Sequence, residues 1–201
     1  MTTIARERLT FQEFLDQYGD EDVWAELERG EVYVMSPASL RHQDLVNFLT
    51  ALLRFFAEYF GLGRVLSAPF LMRLGPDTAR EPDILFVARE HLDRLKATYL
   101  DGPADLVVEV VSPESRLRDR GIKFAEYEMA GVPEYWLIDP ELERADFYVL
   151  ASDGRYERRS ADEQGWYTSQ ALPGFRLFVP WLWQDPLPSL AEALRTLGLL
   201  A

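Results

Sequence analysis

Apolar positions recur along this chain with two spacings, and each change of spacing marks an element. Phe11, Phe14 and Leu15 share one face of a short helix over Thr10–Tyr18, begun by Thr10 and Glu13 at capping-box spacing. The period then falls to two. Val23, Ala25 and Leu27 alternate with Trp24, Glu26 and Glu28, Arg29-Gly30 turns the chain, and Val32 and Val34 alternate with Glu31, Tyr33 and Met35, a β-hairpin closed by Pro37. Helical spacing returns at Leu45, Val46, Leu49, Leu52, Leu53, Phe56 and Phe60, predicting an amphipathic helix capped by Ser39 and stopped by Gly61.

Arg64–Leu74 is predicted as one strand in which Pro69 marks an edge or a bulge, followed by a turn over Gly75–Arg80 and an apolar strand, Ile84–Val87, led in by Pro82-Asp83. Arg89–Lys96 is expected to be a short surface helix. The run Asp105–Val111 reads as a strand buried on both faces, because Leu106, Val107, Val108, Val110 and Val111 surround the single carboxylate of Glu109. A helix to about Ala130 follows, stopped by Gly131 with Pro133 beyond it, and then the strand Glu134–Ile138. Ala145–Leu150 and Arg155–Arg159 around Asp153-Gly154 form a second hairpin. A short strand at Trp166–Gln170, aromatic-anchored loops and a terminal helix over Ser189–Leu197 complete the pattern. The expectation is a single α/β domain over residues 1–201 with a mixed sheet.

Composition narrows the chemistry. There are no cysteines, and His42 and His91 are the only histidines, so thiolate and multi-histidine metal sites are excluded. A metal held by carboxylates and carbonyls points to magnesium, manganese or calcium. The N-terminal MTTIARERLT lacks the apolar run of a signal peptide, and no stretch is long enough to span a bilayer, so a cytoplasmic, membrane-free protein is expected. With 21 basic and 34 acidic residues the net charge is −13. Such a field repels nucleic acid unless a local basic surface offsets it. Arg116, Arg118 and Arg120, and Arg155, Arg158 and Arg159, offer such charge or form a solvated face.

Glu109 is the centre of the candidate chemistry, because a carboxylate in an apolar strand is costly without a cation or several donors. If its strand pairs with the one after Asp83, both carboxylates converge at one sheet end and, with the Val110 carbonyl, make a partial magnesium site. Ser115, Asp119, Lys123 and Tyr127 recur every four residues and line one face of the next helix. Lys123 on that face can reach the carboxylates to orient water or stabilise charge, or it can simply pair with Asp119 at i, i+4. Asp119 also fits a helix N-cap. Glu31 and His42 are weaker candidates from the hairpin and the long helix.

The segments ERGEVYVMSP, RHQDLV, REPDILFV and DLVVEVVSPESRLRDRGIKFAEYEMAGVPEYWLIDP resemble, in order, the Uma-two family of restriction-endonuclease-like proteins, within the PD-(D/E)XK nuclease superfamily. The resemblance runs from about residue 10 to 180 and implies an αβββαβ core over about 39–140, with the N-terminal helix and hairpin before it and a β-hairpin extension over about 141–201. It implies that Asp83 and Glu109 are the motif carboxylates and, with Val110, metal ligands. The usual motif lysine position is Val111 here, and Lys123 matches the family's lysine in the following helix. Glu31 and His42 also match family positions, and Asp119 and Tyr127 would join them around the pocket.

The function implied is a magnesium- or manganese-dependent endonuclease acting on DNA. Two alternatives stand beside it: a binding or assembly protein that keeps the fold without cleavage, and a hydrolase of small phosphoesters. A homo-oligomer, a dimer first, is expected through Val65, Phe70 and the apolar PWLW segment.

Overall fold

The structure, a computed structural model, describes residues 8–18, 25–34, 38–112 and 118–200. Leu45, Leu49, Leu52 and Leu53 on one side of the long helix α2 (Leu40–Tyr59) are fully buried, as their spacing predicts. Ser39 caps α2, its hydroxyl accepting the His42 N–H at 3.2 Å. The shorter helix α1 (Phe11–Tyr18) begins with the expected reciprocal contacts, Glu13 N–H to the Thr10 hydroxyl and Thr10 N–H to the Glu13 carboxylate.

Two sheets are built from interleaved segments. The first holds β1 (Ala25–Glu28), β2 (Glu31–Val34), β4 (Leu71–Arg73), β5 (Ala79–Arg80) and β7 (Tyr99–Asp101), in the order β2-β1-β5-β4-β7. The second holds β3 (Gly63–Ser67), β6 (Ile84–Ala88), β8 (Leu106–Val110), β9 (Glu134–Asp139), β10 (Arg144–Leu150) and β11 (Tyr156–Arg159), in the order β11-β10-β9-β8-β6-β3. This second sheet is mixed: β8 and β9 are parallel, joined through a π-helical turn (Arg118–Lys123) and helix α3 (Phe124–Ala130), and its other pairs are antiparallel.

The predicted strand Arg64–Leu74 is therefore two strands in different sheets, and the chain changes sheets around Pro69. Arg80, expected in a turn, belongs to strand β5, and β7 was not expected from the pattern at all. The predicted surface helix is a 3-10 helix over Arg89–Arg94.

Odd and even positions of the second sheet face two cores. Val108, Val110, Trp136, Ile138 and Phe147 pack with α2 and the C-terminal segment. Val107, Val111, Tyr135, Leu137 and Tyr127 of α3 form the other core. The C-terminal segment carries β12 (Trp166–Thr168), β13 (Arg176–Phe178) and α4 (Leu190–Thr196). It is tied to the sheet by the buried Glu134, which accepts hydrogen bonds from Trp136 Nε1, the Tyr167 and Ser169 hydroxyls and the N–H groups of Gln170 and Ala171.

Val65, Trp181 and Leu182 are buried in the chain's own core. These three therefore offer no interface, whereas Phe70 and Trp183 of the expected oligomer surface are half-buried. Among the described residues no helix is long and apolar enough to cross a membrane.

Candidate active site

The pairing of β6 with β8 aligns Ile84 with Val108, which sets Asp83, one residue before β6, beside Glu109 and Val110. The Val110 N–H donates to Asp83 Oδ2 at 2.7 Å. His42, in the first turn of α2, brings Nε2 to the same oxygen at 3.1 Å. The two motif carboxylates thus meet at one end of the sheet, with the Val110 backbone between them.

Glu109 is only 3% exposed. Its Oε1 accepts hydrogen bonds from Lys123 Nζ at 2.9 Å and the Tyr127 hydroxyl at 2.6 Å. The helix explains this reach: Asp119, Lys123 and Tyr127 fall on one face, and all three are buried. Asp119 lies within the π-helical turn rather than at an N-cap, and its Oδ1 stands 3.5 Å from Lys123 Nζ. A surface i, i+4 pair would contribute little, whereas this pair is enclosed in a desolvated cluster. Ser115 and Arg116 lie outside the described residues, as does the Arg118 side chain.

The third carboxylate on Lys123 is Glu26 of β1, with Oε1 at 3.2 Å from Nζ. Glu26 is fully buried. Its Oε2 accepts from Arg80 Nη1 at 3.2 Å, and its Oε1 accepts the Glu81 N–H at 3.3 Å. Arg80, also fully buried, further donates to Glu28 at 2.9 Å and to Glu126 of α3 at 2.7 Å. One guanidinium therefore ties the hairpin, β5 and α3 together beneath the site. None of Glu26, Arg80, Glu81 or Glu126 was a candidate from the sequence. The signal was there in part: Glu26 and Glu28 alternate with apolar residues, but period-two alternation does not distinguish a strand face in water from one facing a polar cluster.

Glu31 stands opposite Glu28 across the hairpin, so it shares the face that Glu26 and Glu28 present. It is exposed and accepts a hydrogen bond from the Tyr33 hydroxyl at 3.1 Å. It makes no hydrogen bond or ion pair to Asp83, Glu109 or Lys123 and borders the cluster from outside. Of the remaining arginines, Arg155 pairs with Glu128, Arg159 with Glu157, and Arg120 and Arg158 with Asp146.

The electrostatics follow from this geometry. Burial raises the Glu109 carboxyl above the ordinary carboxylate range; Lys123 pulls it back, while Asp119, Asp83 and Glu26 push it further up. Burial alone would lower Lys123, but Glu109, Glu26 and Asp119 raise it above the usual lysine range, so the ammonium stays charged. Burial, with Glu109 beside it, raises the Tyr127 phenol well above its usual value, so it remains a donor. Burial lowers the His42 imidazole, but the hydrogen bond and charge of Asp83, with Glu109 and the Val110 carbonyl, raise it overall. Glu81 is pushed up to about 7, first by burial and then by Glu26, against Lys123.

The donor set suits a hard divalent cation. Both hydrogen bonds to Asp83 fall on Oδ2, and both to Glu109 fall on Oε1. Among the described residues no hydrogen bond falls on Asp83 Oδ1 or Glu109 Oε2. Two repelling carboxylates, one of them hard to ionise, are relieved by a dication. Among the described residues no group of three or more His, Asp or Glu side chains is placed to hold a metal ion, so a cation here would rest on two carboxylates, a carbonyl and water. Two carboxylates and a carbonyl suit magnesium, which keeps several of its waters.

Residues 11–180 match the Uma2 family model, described as "Putative restriction endonuclease". Among solved structures, a crystal structure titled as a putative nuclease belonging to DUF820 from Anabaena variabilis ATCC 29413 superposes with a TM-score of 0.73 at 17% identity, over 87% of this chain and 97% of that one. At that identity the likeness shows the mixed α/β fold. No curated protein matches the chain.

Proposed function

The chain belongs to the Uma2 family, and from that premise we propose that it is a magnesium- or manganese-dependent endonuclease that hydrolyses DNA phosphodiester bonds. The observation that carries the reading is the contact of Lys123 Nζ with Glu109 Oε1 at 2.9 Å, at the sheet end where Asp83 Oδ2 meets the Val110 N–H. It supports Lys123 in the place left by the apolar Val111.

Asp83, Glu109 and the Val110 carbonyl would hold the cation. When bound, it supplies a water of lowered pKa and offsets charge on the phosphate. The chain's own residues do the rest. The Val110 N–H and His42 fix the Asp83 carboxylate through Oδ2. Tyr127 and Lys123 do the same for Glu109. The ammonium opposes the burial that favours the protonated form of Glu109, without cancelling it, and it places a fixed positive charge at the site, where low dielectric strengthens its effect. Its three N–H groups face three carboxylates, so Lys123 acts chiefly by orienting Glu109 and easing its ionisation.

Supercoiled plasmid incubated with magnesium or manganese tests the reading. Wild-type protein is expected to nick and linearise it, chelator to abolish the activity, and Asp83→Asn and Glu109→Gln each to reduce it at least about 100-fold, the scale of losing a transition-state contact. Equal cleavage by wild type and Asp83→Asn would sink the proposal. Carboxylate-dependent metal binding without cleavage of any DNA form would favour the non-catalytic alternative.

A further inference from the structure

The sheet that carries Glu109 also carries a group of arginines that the metal site does not use. Asp146 of β10 is fully buried and gathers three guanidiniums. Its Oδ2 accepts from Arg120 Nη1 at 2.9 Å, and its Oδ1 accepts from Arg144 Nε at 3.0 Å and lies 2.8 Å from Arg158 Nη2. Arg120 also donates to the buried Asp139 at 3.3 Å. The side chains of Arg144 and Arg158 are 46% and 54% exposed, and that of Arg120 is 25% exposed. A guanidinium has five N–H donors, so the outward edges of Arg144 and Arg158 are left over once Asp146 is served.

Register places this group relative to the site. Glu109 pairs with Leu137, and Leu137 with Asp146. Directly paired residues point to one face, so Glu109 and Asp146 share a face two strand spacings apart, roughly 10 Å. Arg144 pairs with Asp139, at the sheet end where Asp83 meets Val110. The π-helical turn joins the two: Lys123 reaches Glu109 from it, and Arg120 reaches Asp146.

We propose that Arg144, Arg158 and Arg120 form a phosphate-binding subsite for the DNA backbone beside the cleavage site, held in shape by the buried Asp146 and Asp139. It rests on the nuclease reading and adds to it where the substrate strand lies. Roughly 10 Å is within a few phosphate steps along one strand, so a strand cut at Asp83 and Glu109 carries a neighbouring phosphate onto the arginines. The subsite also answers how a chain of net charge −13 holds a polyanion. The arginines are fixed by the buried Asp146 and Asp139 on the site face. Pre-ordering the guanidiniums lowers the entropy cost of the contact. The exposed Glu141 and Glu143, on the turn before Arg144, oppose the field and restrict where the strand runs.

The full-length chain, metal-free so that nothing is cut, is titrated into a fluorescein-labelled DNA duplex from about 50 to 200 mM salt by fluorescence anisotropy. Each phosphate contact contributes about 0.9 to the slope of log affinity against log salt. Arg144→Gln with Arg158→Gln is expected to flatten the slope by about 2 and raise Kd on the order of 10-fold or more at the lower salt. The charge-keeping pair, Arg144→Lys with Arg158→Lys, is expected to stay near the wild-type slope. Should the glutamine pair fail to fold, Arg158→Gln alone is read the same way, with a change of about 1. A slope unchanged in a folded variant overturns the subsite, and so does absence of duplex binding by wild type at low salt. Binding is read apart from cleavage. Nicking with an unchanged slope removes the subsite and leaves the nuclease reading, and a flattened slope without metal-dependent nicking does the reverse.

Discussion

At Glu109 opposing charges decide whether the carboxylate is ionised, and each is a single residue away from being tested. Lys123 favours the ionised form, and burial with Asp119, Asp83 and Glu26 opposes it. A cation needs the ionised form, so its affinity must fall at low pH along the titration of this carboxyl. Lys123→Met removes the favourable partner and is expected to move the acid limb of magnesium binding upward by at least about one pH unit. Glu26→Gln removes one unfavourable neighbour of Glu109 and is expected to move the limb downward by a smaller amount. Calorimetric titration with magnesium at several pH values, on variants whose melting curves show them folded, checks both. Shifts in the same direction would mean that the two residues act only through packing. Asp83 and Glu109 stood out in the sequence as a Pro-Asp before an apolar run and a carboxylate in a valine strand, whereas Lys123 fitted its four-residue ladder equally well as a partner of Asp119 and was singled out by the family resemblance. Glu26 breaks no local pattern, and so it was missed.

At the scale of elements, what was legible was what repeats. The face of α2, its Ser39 cap, and the strands β6, β8 and β9 follow from spacing and burial that a run of apolar residues announces by itself. The first sheet was mostly illegible, because β4, β5 and β7 are only two or three residues long. Their existence depends on partners far away in sequence: β5 pairs with β1 and β4, and β7 with β4. No periodicity survives in so short a segment, and Arg80 therefore looked like part of a turn. Its burial against Glu26, Glu28 and Glu126 gives β5 a clear role, since one side chain joins the hairpin to α3. Breaking a buried ionic group by removing one partner leaves the others desolvated and unpaired, which costs about 3–5 kcal/mol. Arg80→Met is thus expected to lose about that much in urea unfolding, and a loss below about 1 kcal/mol would show that the clamp is not structural. Ser39→Ala is expected to cost about 1 kcal/mol and, since the Ser39 hydroxyl holds the backbone of His42, to weaken the hold on Asp83 as well.

For the whole molecule, the concentration of buried acids predicts how stability and metal respond together to pH. Glu81, with its pKa raised from 4.5 to about 7, binds more protons folded than unfolded across that window. Its contribution is present below about pH 4.5 and is lost as pH rises through 7, at most about 3 kcal/mol at about 1.4 kcal/mol per unit. Glu109 is raised and adds in the same direction. His42 is raised above 6.5, so its contribution too is lost as pH climbs past its folded value. Glu13 and Glu128 are lowered by their hydrogen bonds and have the opposite sign, but they titrate below the ordinary carboxylate range and at the surface, so their effect is complete before this window opens. The metal-free chain is therefore expected to melt at progressively lower temperature from pH 5 to pH 8. On the proposed function magnesium would bind the deprotonated carboxylates of the native state alone and stabilise it by mass action, and its effect on Tm is expected to grow over the same interval. Melting curves at several pH values, with and without magnesium, test both statements, and Asp83→Asn should remove the magnesium increment while leaving most of the metal-free decline. A metal-free Tm that is flat or rises from pH 5 to 8, or a magnesium increment that shrinks over that range, would contradict the assignment of these buried acids to a cation site.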